Sequence, residues 1–261
     1  MRILVIGDVV GRAGRRAVKT LLPRVASLHA PDVIIANGEN VAGGFGLTGE
    51  TVKELFASGI HILTTGNHVW NKKEIYGTLE KESRILRPAN YPPGAPGRGS
   101  GVFCSADGVK FGVVNLSGRV FMGNLDCPFR CAETLIDALR RETSIIIVDF
   151  HAEATSEKVA LGWFLDGRVT AVVGTHTHVQ TADERLLDNG TAYITDLGMT
   201  GPVDSVIGVK KELVIGKFLA QMPVRFETAT GRVCLGGAII DVDESSGRAR
   251  SIERVYELDG G

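Results

Sequence analysis

The densest chemistry in this 261-residue chain is the stretch Gly174-Thr175-His176-Thr177-His178. Two histidines one residue apart follow an apolar run at 169–173, which reads as a buried strand bounded by Gly174. If the backbone leaves that strand as a loop, both imidazoles converge on one cavity, where neutral ring nitrogens are ligands for Zn, Mn, Fe or Co. The pair alone is equally compatible with two loop histidines of no joint role. The weight therefore falls on what stands after the other strands.

Four other apolar runs end in residues of the same kind. Residues 2–6 lead into Gly7-Asp8, 32–36 into Asn37-Gly38-Glu39-Asn40, 61–64 into Thr65-Gly66-Asn67-His68, and 144–148 into Asp149-Phe150-His151. Open α/β sheets place ligand-binding residues at the carboxyl ends of their strands. Taken singly, Asp8 is better read as a turn or capping aspartate. Taken together, Asp8, Glu39, Asn40, Asn67, His151, His176 and His178 bring ligand atoms to one side of a sheet. Mixed imidazole, carboxylate and amide oxygen donors suit Mn, Fe or Zn rather than Ca or Mg. The absence of cysteine from the set argues against a structural zinc.

The elements that must hold these residues alternate between strand and helix. A helical stripe runs over 15–28, Thr48 can cap a helix starting near Glu50, and another helix region begins at Trp70 and Lys72. Further helices are expected at 132–141, 156–165 and 210–219. Hairpins are expected around Asp107-Gly108 and Asn189-Gly190, and strands at 224–227, 233–242 and 249–255 close the chain. Residues 87–101 are rich in Pro and Gly and read as a structured loop, while 117–131 reads as a lid or partner loop. Gly7, Gly11 and Gly14 do not form the G-x-G-x-x-G fingerprint, which discounts a dinucleotide fold. We expect a single mixed α/β domain over 1–261.

Composition narrows the classes further. A formal net charge of -1 gives no sign of a general polyanion binder, so no stable nucleic-acid binding is expected. Cys104, Cys127, Cys131 and Cys234 form no zinc-type spacing and read as reduced thiols. No signal peptide or membrane-length apolar run is visible. These features suit a cytoplasmic protein without membrane association, and they are compatible with a homo-oligomer.

The order Asp8, Gly38-Glu39-Asn40, Gly66-Asn67-His68, His151, Gly174-x-His176-x-His178 resembles the calcineurin-like metallophosphoesterase superfamily. Three departures stand out: no histidine follows Asp8 at the second position, the bridging carboxylate is Glu39 rather than Asp, and Val69 follows His68 where an acid is usual. With Arg87-Pro88-Ala89-Asn90-Tyr91-Pro92 and Thr195-Asp196-Leu197-Gly198-Met199-Thr200-Gly201, the pattern is similar to a bacterial branch, the YmdB-like phosphodiesterases. The resemblance covers nearly the whole chain. It implies a four-layer α/β sandwich of mixed sheets flanked by helices. It also implies a centre of two iron or manganese ions and hydrolysis of small phosphodiesters such as 2′,3′-cyclic nucleotides by a metal-bridging hydroxide.

By the same resemblance Glu39 would bridge the ions, Asp8, His178 and Asn40 would hold one, and Asn67, His151 and His176 the other. His68 would contact the phosphate or protonate the leaving alkoxide. Two readings stand beside this one: a phosphomonoesterase or protein phosphatase on the same centre, and a regulatory metal-binding protein that acts through partners. Outside the constellation, His29 is expected to cap a helix end and His61 to be structural. Asp196 is expected to brace a ligand histidine or a turn, and Arg119 is the candidate for a substrate-phosphate contact.

Overall fold

A computed structural model describes residues 1–259 of the chain. The amino-terminal part contains β1 (Arg2–Ile6), β2 (Asp8–Val9), α1 (Gly11–His29), β3 (Val33–Asn37), α2 (Gly49–Ala57), β4 (Ile62–Thr64) and α3 (Tyr76–Lys81). The middle contains β5 (Ser100–Cys104), β6 (Lys110–Ser117), α4 (Pro128–Leu139), β7 (Ile146–His151), α5 (Thr155–Leu165) and β8 (Ala171–Thr175). The remainder contains β9 (Arg185–Leu186), β10 (Ala192–Ile194), β11 (Met199–Pro202), α6 (Lys211–Ala220), β12 (Val233–Val242) and β13 (Ala249–Leu258).

These strands form two mixed sheets. One runs β2-β11-β12-β1-β3-β4, with β13 also paired to β12, and the other runs β5-β6-β7-β8-β10-β9. β1, β3 and β4 are parallel, as are β6, β7, β8 and β10, so their carboxyl ends gather at one rim of each sheet.

Strand periodicity explains how two sheets and two helical layers stack. Successive side chains of a strand point to opposite faces. In β1, Leu4 and Ile6 join the core shared with α1, while Ile3 and Val5 join the core between the sheets. In β7, Ile147 enters the inter-sheet core, and Ile146, Val148 and Phe150 pack on the other side with Ala132, Ile136 and Leu161 from α4 and α5. Strands covered on both faces read as unbroken apolar runs rather than as alternation. The result is the expected four-layer α/β sandwich.

Local signals behave as their chemistry requires. Thr48 accepts from the Thr51 N–H while the Thr51 hydroxyl accepts from the Thr48 N–H, which fixes the start of α2. Both expected hairpins form, β5 with β6 and β9 with β10. His29 is the last residue of α1, but the cap is Ala30, whose N–H donates to the Ala26 carbonyl, and the His29 carbonyl accepts from the Arg2 guanidinium at 3.0 Å. His61 Nδ1 accepts from the Ile34 N–H at 2.9 Å, a structural role.

Two expectations are corrected. Residues 224–227 are not a strand: they join neither sheet, the Glu227 carbonyl accepts from the Lys210 N–H at 3.0 Å, and the neighbouring Thr228 makes a single bridge to Val209. Alternating residues favour an extended chain, but a strand also needs an open sheet edge, and Pro223 lies just before it. The helix expected from Trp70 begins only at Tyr76, after a turn of 3₁₀ helix at Lys73–Ile75. Among the described residues no helix is long and apolar enough to cross a membrane.

Candidate metal centre

Five strand ends meet at the rim where the two sheets face each other. The Asp8, Glu39, Asn40 and His151 side chains are buried, and His176 and His178 are partly so. His151 lies at the middle of one half of the cluster. Its Nε2 is 3.1 Å from Glu39 Oε1, 3.0 Å from Asn67 Oδ1 and 3.0 Å from His176 Nδ1. Ligand atoms of Glu39, His151 and His176 lie within 4.8 Å of one another. The other half forms around Asn40, whose Nδ2 lies 3.1 Å from Glu39 Oε1, 3.1 Å from His178 Nε2 and 3.5 Å from Asp8 Oδ1. His178 Nε2 is 3.8 Å from Asp8 Oδ1. Glu39 therefore touches both halves. All seven candidate ligands from the sequence stand in one group.

Three backbone features let this happen. After β8 the chain leaves the extended conformation: φ is 103° at His176 and 67° at His178. These are left-handed values that L-residues adopt at a cost of order 1–3 kcal/mol each. The loop is held there by two carboxylates. Asp8 Oδ2 accepts from the His176 N–H at 3.0 Å, and Asp196 Oδ2 accepts from the Thr177 N–H at 3.1 Å. The third feature is Gly66, where any Cβ would collide with the His151 ring and the Glu39 carboxylate.

Each ring nitrogen that faces away from the cluster has a partner. His178 Nδ1 donates to the Ile207 carbonyl at 2.8 Å. His176 Nε2 lies 3.0 Å from Glu153 Oε2. His151 Nδ1 lies 3.0 Å from the Thr175 hydroxyl, which donates in turn to Asp149 at 2.8 Å. Ligand histidines almost always donate their second ring N–H to a carboxylate, carbonyl or similar acceptor, which fixes the tautomer and raises ligand basicity. That arrangement leaves His151 Nε2, His176 Nδ1 and His178 Nε2 turned toward the carboxylates and Asn67. The donor set thus fits a metal.

The charges of the cluster lead the same way. Burial alone would raise the Glu39 carboxyl, but the adjacent His151 outweighs it and brings it down to about 2. Burial would lower His151, but Glu39 and then Asp8 outweigh it and raise it to about 9. Burial and the neighbouring His151 bring His176 down to about 3. Burial raises the Asp8 carboxyl against the pull of His178 and His151. The buried carboxylates thus favour positive charge at the His151 Nε2 position, where a metal cation and a proton would compete.

The cluster floors a cavity of about 320 Å³ whose walls include His68, Phe45, Ile207 and Phe226. The His68 N–H donates to Glu39 Oε2 at 3.0 Å, and its ring packs edge-on to Phe45 with centroids 5.0 Å apart. Where a following acid was expected to orient the ring, Asn71 stands instead, its Nδ2 3.3 Å from His68 Nδ1. With Asn71 as donor, the ring proton resides on Nε2.

Sequence reasoning missed Glu153, Asn71, Phe45, Asp149 and Lys158. Lys158 carried a readable signal: it lies on the α5 stripe with Leu161 and Leu165, where a lysine is out of place unless paired. Asp196 braces the histidine loop through the Thr177 backbone and not through an imidazole. Arg119 is exposed and lies outside the cavity wall; its backbone N–H donates to Glu157 at 3.1 Å and its carbonyl accepts from the Met122 N–H at 3.2 Å. The 117–131 loop is tied down by Asn90, which bonds to Ser117 and to the Asp126 carbonyl, while Phe121 stays 88% exposed.

Comparison with known proteins places this geometry in company. The family described as YmdB-like protein matches residues 4–255. The 2′,3′-cyclic-nucleotide 2′-phosphodiesterase of Bacillus subtilis (strain 168) is 50% identical over 255 residues, which cover 98% of this chain and 96% of that protein. A crystal structure of a hypothetical protein from Thermus thermophilus superposes with a TM-score of 0.93 at 40% identity, covering 100% of both chains. A crystal structure of a novel phosphatase from Mycoplasma pneumoniae does so with a TM-score of 0.93 at 35% identity, covering 99% of this chain and 93% of that one.

Proposed function

The chain belongs to the YmdB-like protein family, and on that premise we propose that it is a metal-dependent phosphodiesterase acting on small phosphodiesters, 2′,3′-cyclic nucleotides first among them. The observation that carries this reading is the set of three histidine nitrogens and two buried carboxylates beneath one cavity, each histidine anchored by its other nitrogen.

In the proposed arrangement Glu39 is shared between two ions, Asp8, Asn40 and His178 hold one, and Asn67, His151 and His176 hold the other. Asn40 takes the place of the histidine missing after Asp8. Mixed N and O donors without sulfur favour iron or manganese. When bound, such ions supply a nucleophile from water at neutral pH and positive charge for the phosphoryl oxygens. The residues supply the rest. His68, with its proton on Nε2 at the cavity wall, donates a hydrogen bond to the phosphate or to the leaving ribose oxygen. The apolar wall of Phe45, Ile207 and Phe226 receives the nucleoside and excludes water. Four free thiols agree with a reducing compartment, and we place the protein in the cytoplasm.

The test is a substrate panel with full-length protein loaded with Mn or Fe: a 2′,3′-cyclic nucleotide, a bis-aryl phosphate and a mono-aryl phosphate. Hydrolysis of both diesters in preference to the monoester is expected. Preference for the monoester would turn the reading to a phosphomonoesterase.

A further inference from the structure

A second depression, of about 430 Å³, opens beside the catalytic cavity, and the two share Thr228 in their walls. They are also joined along the chain: Val10 lines the cavity, and Arg12, two residues on, lines the groove. The Gly11 N–H between them donates to the Asn40 carbonyl at 2.9 Å, so the start of α1 sits directly against the candidate ligand Asn40.

The groove is basic by construction. Arg12, Arg15, Arg16 and Lys19 all line it, at the spacing that puts them on one face of α1. Arg15 is committed to Glu54 at 2.6 Å and to the Val41 carbonyl at 2.8 Å, and Arg16 to the Gly231 carbonyl and Asp259. Arg12 and Lys19 are exposed and, among the described residues, have no ion-pair partner. A chain of net charge -1 thus keeps two uncommitted cations in a groove that adjoins its catalytic cavity across Thr228.

This rests on the phosphodiesterase reading above: a 2′,3′-cyclic phosphate held over the metal centre leaves the 5′ oxygen of the same ribose as the route by which a polynucleotide would continue. The cavity wall offers Phe45, Ile207 and Phe226 to the base, and its Glu227 is paired with Lys210, whereas the groove suits an anion. We propose that the Arg12–Lys19 groove is a subsite for a phosphate on the 5′ oxygen of the reacting nucleotide. The chain would then act best on a nucleotide carrying a 5′ phosphate, whether a free 5′-phosphorylated mononucleotide or the cyclic-phosphate end of an RNA fragment. Two phosphate contacts bias substrate choice without producing stable binding to nucleic acid at large.

The experiment compares kcat/KM of the metal-loaded full chain on three substrates: adenosine 2′,3′-cyclic phosphate, the same compound with a 5′ phosphate, and a dinucleotide ending in the cyclic phosphate. The 5′-substituted substrates should gain about 10-fold or more, through KM. Their salt dependence should be steeper by about 0.7 in log–log slope, the value for one neutralised phosphate on a single strand. The R12Q/K19Q double variant should erase both effects and leave the 5′-hydroxyl substrate within about twofold. A gain confined to the 5′-phosphorylated mononucleotide assigns the subsite to a terminal phosphate, and a gain that includes the dinucleotide assigns it to an RNA end. Equal rates on all three substrates, or a uniform loss in the double variant, overturn the subsite and leave the phosphodiesterase standing. Failure to hydrolyse any cyclic nucleotide removes the phosphodiesterase reading instead.

Discussion

Lys158 Nζ lies 2.6 Å from Asp196 Oδ2, and both side chains are almost wholly buried. The pair ties α5 to the segment after β10. Lys158 also donates to the Thr175 carbonyl at 2.8 Å, and Asp196 accepts from the Thr177 and Gly198 N–H groups. The histidine loop is therefore clamped on both sides of Thr175-His176-Thr177 by one buried ion pair. Removing one partner of such a pair leaves an uncompensated buried charge, which costs about 3–5 kcal/mol. Lys158→Met should lose that much in urea unfolding and also weaken metal binding, because the loop loses its brace. Unchanged stability in that variant would show that the pair is idle.

Glu39 touches both halves of the cluster, 3.1 Å from His151 Nε2 and 3.1 Å from Asn40 Nδ2. Glu39→Gln keeps the shape and removes the charge. The variant should fold, bind less metal per chain by elemental analysis, and hydrolyse a diester at least about 100-fold more slowly, a loss at or beyond the upper end of that seen for outer ligand partners. Full metal content together with full turnover would refute Glu39 as the shared ligand.

The strand ends were legible in the sequence because buried parallel strands read as unbroken apolar runs, and the residue types that follow them are few. Thus Asp8, Glu39, Asn67, His151 and the His176–His178 pair stand out without coordinates. The groups that orient them do not. Glu153 and Asn71 are ordinary polar residues in loops, and nothing local says that one meets His176 and the other His68. Phe45 sits in a glycine-rich loop whose course is set by left-handed residues at Gly43, Gly44 and Gly46. Residues 224–227 misled for the opposite reason: their alternation is real, but pairing is decided by a sheet edge elsewhere in the fold. α6 shows the same limit, since its apolar residues Ile215, Phe218 and Leu219 stay exposed and only Val214 is buried.

Thr175 links Asp149 to His151 by hydrogen bonds of 2.8 and 3.0 Å. Thr175→Val preserves volume and removes the hydroxyl, so the His151 Nδ1 proton loses its acceptor. Metal affinity measured by titration should fall about 10–100-fold, and Thr175→Ser should restore it. Equal affinities in all three proteins would show that the ring is held by packing alone.

Gly66 has no room for a side chain, because a Cβ would strike both His151 and Glu39. Gly66→Ala must displace one of them. Overpacking of this kind costs about 1–3 kcal/mol, so the chain should still fold, with its loss concentrated in metal content and diester hydrolysis. A variant with full metal stoichiometry and normal turnover would contradict the close packing of the centre.

His61 gives a pH signature far from the centre. Its Nδ1 accepts from the Ile34 N–H at 2.9 Å, and burial, followed by the charge of Arg84, lowers its pKa below the ordinary 6.5. The folded chain therefore binds fewer protons at this site than the unfolded chain once the pH falls below about 6.5. Stability rises with pH wherever the unfolded state binds more protons. The contribution of His61 is thus fully present above the unfolded pKa and is lost as pH falls toward the folded one. Protonation of Nδ1 would also remove the acceptor that the Ile34 N–H uses. Melting temperatures of wild type and His61→Gln, followed from pH 7.5 to pH 5.5, should diverge in slope, with the wild type losing more on acidification. Parallel slopes would mean that His61 titrates alike in the folded and unfolded chains and that its bond to Ile34 does not discriminate between protonation states.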